Sequence, residues 1–445
     1  MNAPEHGFAA RAAACDPTES PIHWKRGADS RVPYRVYTDP ELYQRELERF
    51  YYSGHWCYAA IEAEIPNPGD FKRSTIGERE VIVTRAADGS VHVIENRCAH
   101  RGVVFCQKSH GNAKDFNCPY HQWNSDLKGN LIGLPFRRGV KVRDEAGQVQ
   151  VNGGMPADFK LEDHHLNQLK VALKGGVIFA SFDHDVEDID SYLGEIAPWF
   201  EREFGTGEHG RGLTLLGYSR QRIPGNWKLM QENIKDPYHP GLLHTWFVTF
   251  GLWRNDTRSE LFTDSHGRHG AMVAWKHAGG KGEVTQGVSS YHENMKLNDE
   301  RVLDVVPEAW WKHPSGEPGI PPSACMQTIF PNLIVQHNVN SISTRQIVPL
   351  GPNAFDFIWT HFGFTDDTPE MTQRRLRQGN LFGPSGYVSA DDGEVIELSQ
   401  EGFLQNNSGS TLCELDGTAK GGSPHNVTES LIRSMYGYYR KVMEV

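Results

Sequence analysis

Residues 98–121 read CAHRGVVFCQKSHGNAKDFNCPYH. Two metal-binding residue types recur in it at close spacing. Cys98 and His100 form C-x-H, and Cys118 and His121 form C-x2-H after the intervening residues 101–117. Each of two loops therefore offers one thiolate and one imidazole. Gly102 and Pro119 can hold the loops tight, and Trp123 stands where it can cover an apolar side. Cys106 lies inside the stretch, but its spacing matches neither pair, and it reads as a buried thiol.

Four such ligands suit tetrahedral zinc or a [2Fe–2S] cluster. A zinc finger places its two cysteines together and its histidines on a helix, whereas here the two types are split between loops. That split is what a Rieske cluster requires, with Cys98 and Cys118 on one iron and His100 and His121 on the other. Neutral imidazoles in place of two thiolates raise the potential, and the cluster becomes a one-electron carrier. A carrier needs somewhere to send its electron.

One destination is QENIKDPYHPGLLH, residues 231–244. His239 and His244, with one carboxylate and open positions, would form the 2-His-1-carboxylate iron triad used for O₂ activation. Asp236 and Glu232 are near in sequence. Asp391 and Asp392 are distant, after the Gly-rich turn in FGPSGYVSADDGEVIE. Spacing does not choose among these four. Upstream, Asn226, Trp227 and Lys228 read as structural, with Trp227 packing and Lys228 pairing with an acid.

The rest of the chain sets bounds on the reading. At 445 residues it can hold two or more cores, and 38% hydrophobic with 23% charged content is ordinary for a folded protein. A formal net charge of -11 argues against nucleic acid as the main partner. No apolar run is long enough to span a bilayer, and the N-terminal text has no secretory pattern. Seven cysteines (15, 57, 98, 106, 118, 325 and 413) fit a reducing, cytoplasmic compartment better than a disulfide framework. No G-x-G-x-x-G fingerprint follows a strand, so neither bound NAD nor flavin is expected.

The texture of the chain divides it into regions. Residues 39–56 have helical spacing. VIVTR, SVHVIEN, LKVALKG and GVIFASF are short β-rich runs separated by turn-formers, which predicts a small β domain with long loops. DIDSYLGEIAPWF reads as helical. From 212 onward CMQTIF, LIVQHNV, FDFIWTHFGF and the apolar text around SMYGYY read as strands, and TPEMTQRRLRQGN reads as helix. Residues 264–323 read as loop-rich.

With CAH…CPYH, NWKLMQENIKDPYHPGLLH and NLFGPSGYVSADDGE in place, the chain resembles the large (α) subunits of Rieske non-haem iron aromatic-ring oxygenases over nearly its whole length. The resemblance implies an α+β fold: a small all-β Rieske domain inserted into a larger, helix-grip-like catalytic domain with an antiparallel β-sheet. The expected boundaries are 1–54 for an arm and helix belonging to the catalytic domain, 55–178 for the Rieske domain and 179–445 for the catalytic domain. It also implies one [2Fe–2S] cluster and one mononuclear Fe(II) held by His239, His244 and Asp392. Asp236 becomes a bridging aspartate, linking His121 of one subunit to His239 of its neighbour. A small β subunit in an α3β3 assembly, a ferredoxin and an NAD(P)H-dependent reductase are implied partners.

Residues 220–250 resemble the branch of that family acting on single-ring arenes with a carboxylate, and the overall resemblance, carried by NPGDFKR, NCPYHQWN and VSADDGEVIE, is closest to the members that hydroxylate salicylate at C5 to give gentisate. The alternative is cis-dihydroxylation of a benzoate-type ring such as terephthalate, anthranilate or a halobenzoate. Arg345 is the candidate grip for the carboxylate, since a guanidinium offers two parallel hydrogen bonds. Gln336, His337 and Asn338 are candidates for the 2-hydroxyl, with strand alternation turning only some inward. Asn233 is expected near the iron. Met230, Phe247, Phe250, Met272 and Trp275 are flat or soft side chains suited to a ring.

Overall fold

The computed structural model describes residues 22, 24–25, 28–204, 212–250, 253, 258–275 and 322–445. The expected N-terminal arm, residues 1–21, and most of the stretch read as loop-rich lie outside the described residues.

The chain enters through α1 (Arg35–Thr38) and α2 (Pro40–Glu46). Asp39 starts α2, accepting the amides of Glu41 and Leu42 at 3.0 and 3.1 Å, with Pro40 fixing the first helical φ. Leu42, Glu46, Leu47 and Phe50 then fall on one buried face. Next come the strands of the predicted β region. β1 (Cys57–Ile61), β2 (Asp70–Ile76), β3 (Arg79–Arg85), β4 (Val91–Glu95) and β5 (His110–Asn112) precede β6 (Asp115–Asn117), β7 (Asn124–Asp126) and β8 (Leu131–Gly133). An exposed hairpin, β9 (Val140–Arg143) and β10 (Val149–Asn152), is followed by β11 (Lys170–Lys174) and β12 (Val177–Ser181). All pairings among these strands are antiparallel, in the orders β4-β3-β2-β5, β6-β7-β8 and β1-β12-β11. β1 and β12 are buried along their whole length, in keeping with the apolar text of CYAAI and VIFA.

Short helices α3 (Ile189–Leu193) and α4 (Ala197–Glu203) lead into the larger part. Its centre is a seven-stranded antiparallel sheet built from β13 (Leu213–Ile223), β14 (Ser259–Thr263), β15 (Gly270–Ala274), β16 (Ala324–Ile329), β17 (Leu333–Asn338), β18 (Ser341–Pro349) and β19 (Phe355–Phe364). The strand order is β13-β19-β18-β17-β16-β15-β14. Among the described residues five α-helices complete it: α5 (Trp227–Lys235), α6 (Thr245–Thr249), α7 (Pro369–Phe382), α8 (Ser389–Gln405) and α9 (Ser430–Met443). α5 packs on β15, β16 and β18 and against α8 and α9, so it lies across one face of the sheet.

Two readings made from the sequence need correction. Residues 434–439, SMYGYY, expected beside strands, lie within α9. Their buried positions (Leu431, Ile432, Met435, Tyr436, Tyr439 and Met443) recur every three to four residues, and that period overrides the β preference of tyrosine. Residues 270–274, expected in a loop, form the fully buried strand β15.

Alternation sorts the sheet residues. Met272, Met326 and Gln336 stand in register across β15, β16 and β17, facing α5 and α8. Val273, Cys325 and Val335 point the other way into a second core with Trp199 and Phe200. A buried polar knot ties the N-terminal helix to this part. Lys228 Nζ lies 2.8 Å from a Glu46 oxygen, and Trp227 Nε1 and the Tyr439 hydroxyl donate to Glu46 at 2.9 and 2.6 Å. The structural reading of Trp227 and Lys228 therefore holds, and Asn226 caps α5 by accepting the Lys228 amide at 3.2 Å.

Candidate metal centres

The first site is two matched turns. Cys98 N donates to Val103 O at 2.9 Å, and Gly102 N donates to Cys98 O at 2.8 Å. Twenty residues later the pattern repeats: Cys118 N to Trp123 O at 2.9 Å and Gln122 N to Cys118 O at 2.9 Å. In both turns the residue four past the cysteine is left-handed, Gly102 at φ 69° and Gln122 at φ 55°. Gly102 plays its expected part. In the second loop the demanding position is Gln122, which the sequence reading missed because only glycine advertises a positive φ.

The turns bring Cys98, Cys118 and Trp123 around one cavity, shared with Phe105, Phe116 and Leu131. The His100 and His121 rings lie 4.7 Å apart, and the Trp123 indole stacks on His100 at 4.7 Å. His100 Nδ1 is buried without a hydrogen-bond partner among the described residues. A buried, unpaired imidazole nitrogen costs free energy unless something ligates it. Two sulfurs, two imidazoles and an orphaned nitrogen fit a [2Fe–2S] group of mixed ligation.

The second site begins where α5 ends. Pro237 bars the residue before it from helical geometry, and Asp236 is extended at φ -96°, ψ 100°. Its Oδ1 accepts the amides of Tyr238 and His239 at 3.1 and 3.2 Å, turning the chain back. Leu242 and Leu243 then donate to His239 O, and the second turn sets His244 beside His239 with ring centroids 5.3 Å apart.

The carboxylate arrives from α8. A Cβ on Gly386 would lie 2.1 Å from Leu381 O, so the FGPSG turn folds this tightly only with glycine there. It delivers Asp392, in the first turn of α8, to the histidines. Asp392 Oδ1 is 3.5 Å from His239 Nε2 and 3.2 Å from His244 Nε2. Ligand atoms of His239, His244 and Asp392 all lie within 4.8 Å of one another. Burial works against a proton on His239, yet Asp236 and Asp392 beside it push its pKa up to about 10. Burial would likewise raise Asp392, but the two imidazoles hold it well below the usual carboxylate range. The three groups favour a positive charge between them, and two imidazoles with one carboxylate suit non-haem iron.

Asn233 also meets this centre, donating from Nδ2 to Asp392 Oδ1 at 3.1 Å. Glu232, an open candidate in the sequence, instead accepts from the Tyr436 hydroxyl, and Asp391 accepts from His244 Nδ1 at 3.2 Å.

A cavity opens over the triad. Asn233, Phe247, Gln336 and Arg345 line it as read from the sequence, together with Met272 and the residues Met326 and Val388 that the reading missed. Met326 was discoverable from alternation, since it pairs with Gln336 across β16 and β17. Met230 and Asn338 are not among the lining residues. Met230 faces the main core from α5, and Asn338 stands at the end of its strand, paired with Ala324 and Ser341. His337 points through the sheet to Glu203 at 3.0 Å. Phe250 packs on Trp246, and Trp275 lies under Arg258.

Arg345 is the unusual member. It is 3% exposed, and its guanidinium lies over Trp359, 3.4 Å from the ring centroid. Among the described residues it has no ion-pair partner, and its Nε has no hydrogen bond. Burial pulls its pKa down to about 9, partly offset by the charge of Asp392.

Comparison with known proteins agrees with both centres. Residues 55–144 match the Rieske [2Fe-2S] domain, and residues 210–445 match the ring hydroxylating alpha subunit (catalytic domain). The chain is 61% identical over 422 residues to the large oxygenase component of salicylate 5-hydroxylase from Ralstonia sp, covering 94% of this chain and 96% of that one. It is 39% identical to the large subunit of anthranilate 1,2-dioxygenase from Burkholderia cepacia, covering 98% and 97%. In structure it matches naphthalene 1,2-dioxygenase from Rhodococcus sp. with a TM-score of 0.74 at 24% identity, covering 94% and 95%, a likeness of fold. This chain therefore belongs to the ring-hydroxylating oxygenase α subunits, joining a Rieske [2Fe–2S] domain to a catalytic domain of mononuclear-iron type.

Proposed function

We propose that this chain is the large oxygenase subunit of a multicomponent salicylate 5-hydroxylase, converting salicylate to gentisate with O₂. The observation that carries the reading is Arg345. A guanidinium buried with no ion pair among the described residues, its burial only partly offset by the charge of Asp392, is costly, and an anionic substrate reduces that cost. The relative at 61% identity, named for salicylate 5-hydroxylation, supplies the substrate class.

Iron(II) held by His239, His244 and Asp392 supplies the activation of O₂, and the chain supplies position and exclusion of water. Arg345 takes the substrate carboxylate through parallel N–H donors. Gln336 Oε1, buried without a partner among the described residues, accepts the 2-hydroxyl from the neighbouring strand. Phe247, Met272, Met326 and Val388 give the ring an apolar wall. Asn233 holds the Asp392 carboxylate. Asp236 is the electron bridge, joining His239 of one copy to His121 of the next in an α3β3 assembly with a small β subunit. Partial exposure of both Asp236 and His121 supports that contact. Electrons come from NAD(P)H through a reductase and a ferredoxin. The setting is the cytoplasm, in keeping with six cysteines outside any disulfide among the described residues. No described helix is long and apolar enough to cross a membrane.

A second reading, cis-dihydroxylation of a benzoate-type ring, is favoured by the relative named for anthranilate. Incubation with salicylate, O₂, ferredoxin and reductase decides between them. Gentisate is the expected product, and Arg345→Gln should raise KM for salicylate by about 100-fold, the loss expected of a buried charged pair. A cis-diol product, or phenol turned over as readily as salicylate, would overturn the proposal.

A further inference from the structure

Each catalytic imidazole has two nitrogens, and the structure treats the two outer ones differently. Both Nε2 atoms face Asp392 Oδ1. On the far side of His239, Asp236 Oδ1 stands 3.6 Å from Nδ1, a contact too long to satisfy that nitrogen, and Asp236 is already engaged by two backbone amides. On the far side of His244, Nδ1 has a hydrogen bond, to Asp391 Oδ2 at 3.2 Å.

We infer that Asp391 is a positioning residue for the mononuclear centre: its carboxylate accepts the Nδ1–H of His244 and holds the Nε2 lone pair toward the metal. The inference rests on His239, His244 and Asp392 being the iron ligands.

Three observations carry it. A neutral imidazole that ligates through Nε2 must carry its proton on Nδ1, and a fixed acceptor there sets both tautomer and ring plane. Asp391 and Asp392 are neighbours in the first turn of α8, where successive side chains diverge by roughly 100°. One acid therefore reaches the inner nitrogen of His244 and the other the outer nitrogen of the same ring. Finally, beyond the charge an acid lends to the first turn of α8, Asp391 has no competing partner. Among the described residues it pairs with no lysine or arginine and bonds no backbone amide, and no side chain caps α8. Its side chain stays 39% exposed while Asp392 is at 6%, so the charge is retained in contact with solvent on the outer side of the ring. This also answers why the adjacent acid, an open candidate in the sequence, is not itself a ligand: it faces the wrong nitrogen.

The test is Fe(II) affinity, measured anaerobically by chelator competition on the full chain with its cluster in place. Asp391→Ala should weaken Fe(II) binding about 10- to 100-fold, the usual cost of losing such an outer partner, while Asp391→Asn recovers much of it because its amide oxygen accepts the same N–H. Cluster absorbance, and the melting temperature before Fe(II) is added, should match the parent in both variants. If Asp391→Ala binds Fe(II) within about twofold of the parent, Asp391 positions nothing. If melting temperature falls in step with affinity, Asp391 is a helix-stabilising residue and the inference fails. His244→Ala separates this from the ligand assignment: it should abolish mononuclear Fe(II) binding. Retention there would sink the assignment itself, and with it the role of Asp391.

Discussion

The two metal centres of this chain are built on opposite plans. All four candidate cluster ligands fall between residues 98 and 121, on two turns that share one backbone pattern. The candidate mononuclear triad joins residues 239 and 244 to residue 392, on segments far apart in sequence that are brought together over a seven-stranded sheet. One site is held by local turn geometry and the other by tertiary packing. Damage should therefore spread differently from each.

The largest expected effect tests that separation directly. Asp392→Ala should remove the mononuclear iron and all measurable turnover, leaving cluster absorbance at the parent level. Cys118→Ser should do the reverse, losing cluster colour while Fe(II) still binds at the triad. The parent should hold two cluster irons and one mononuclear iron per chain by elemental analysis, as the two ligand sets require. Loss of both metals from either single variant would show that the centres fold as one unit.

This division also explains what could be read before the fold was known. The candidate cluster ligands were legible because their chemistry and spacing are local, and so were the candidate ligands His239 and His244. The carboxylate was not, because four acids were equally compatible with spacing and only the resemblance selected Asp392. No sequence rule foretells that the Gly386 turn aims α8 at α5. Polar candidates on β17 were legible up to alternation, which correctly separates Gln336 from His337 but says nothing about where the strand leaves the cavity, as it does by Asn338. The misread SMYGYY segment belongs to the same class of error, since its helical period becomes decisive only once α9 has a core to face.

A smaller effect probes the packing that the triad depends on. Glu46 sits at 0% exposure between Lys228, Trp227 and Tyr439, and joins α2 to α5 and α9. Burial pulls the Lys228 pKa down while Glu46 pulls it back up. Glu46→Ala leaves the ammonium without its counter-charge, which costs about 3–5 kcal/mol for a buried pair broken on one side. α5 leads directly into Asp236 and His239, so on heating the variant should release mononuclear iron well before the cluster bleaches. Simultaneous loss, followed by iron-chelator colour and cluster absorbance in one melt, would mean that the cluster loops lean on the same packing.

The smallest effect lies within the cluster loops themselves, where the two turns offer an internal control. Gly102 and Gln122 occupy equivalent left-handed positions, one natural for glycine and one strained for a residue with a Cβ. A Cβ on Gly102 would meet nothing closer than the Arg97 side chain at 3.7 Å, so the cost of Gly102→Ala is conformational, about 1–2 kcal/mol. Gln122→Gly relieves that strain but loosens the unfolded chain, and the two terms nearly cancel to within about 1 kcal/mol. Denaturant melts followed at the cluster should therefore shift for Gly102→Ala and hardly move for Gln122→Gly. A large loss at Gln122→Gly would assign that side chain a contact beyond its backbone, and the two turns would no longer be equivalent.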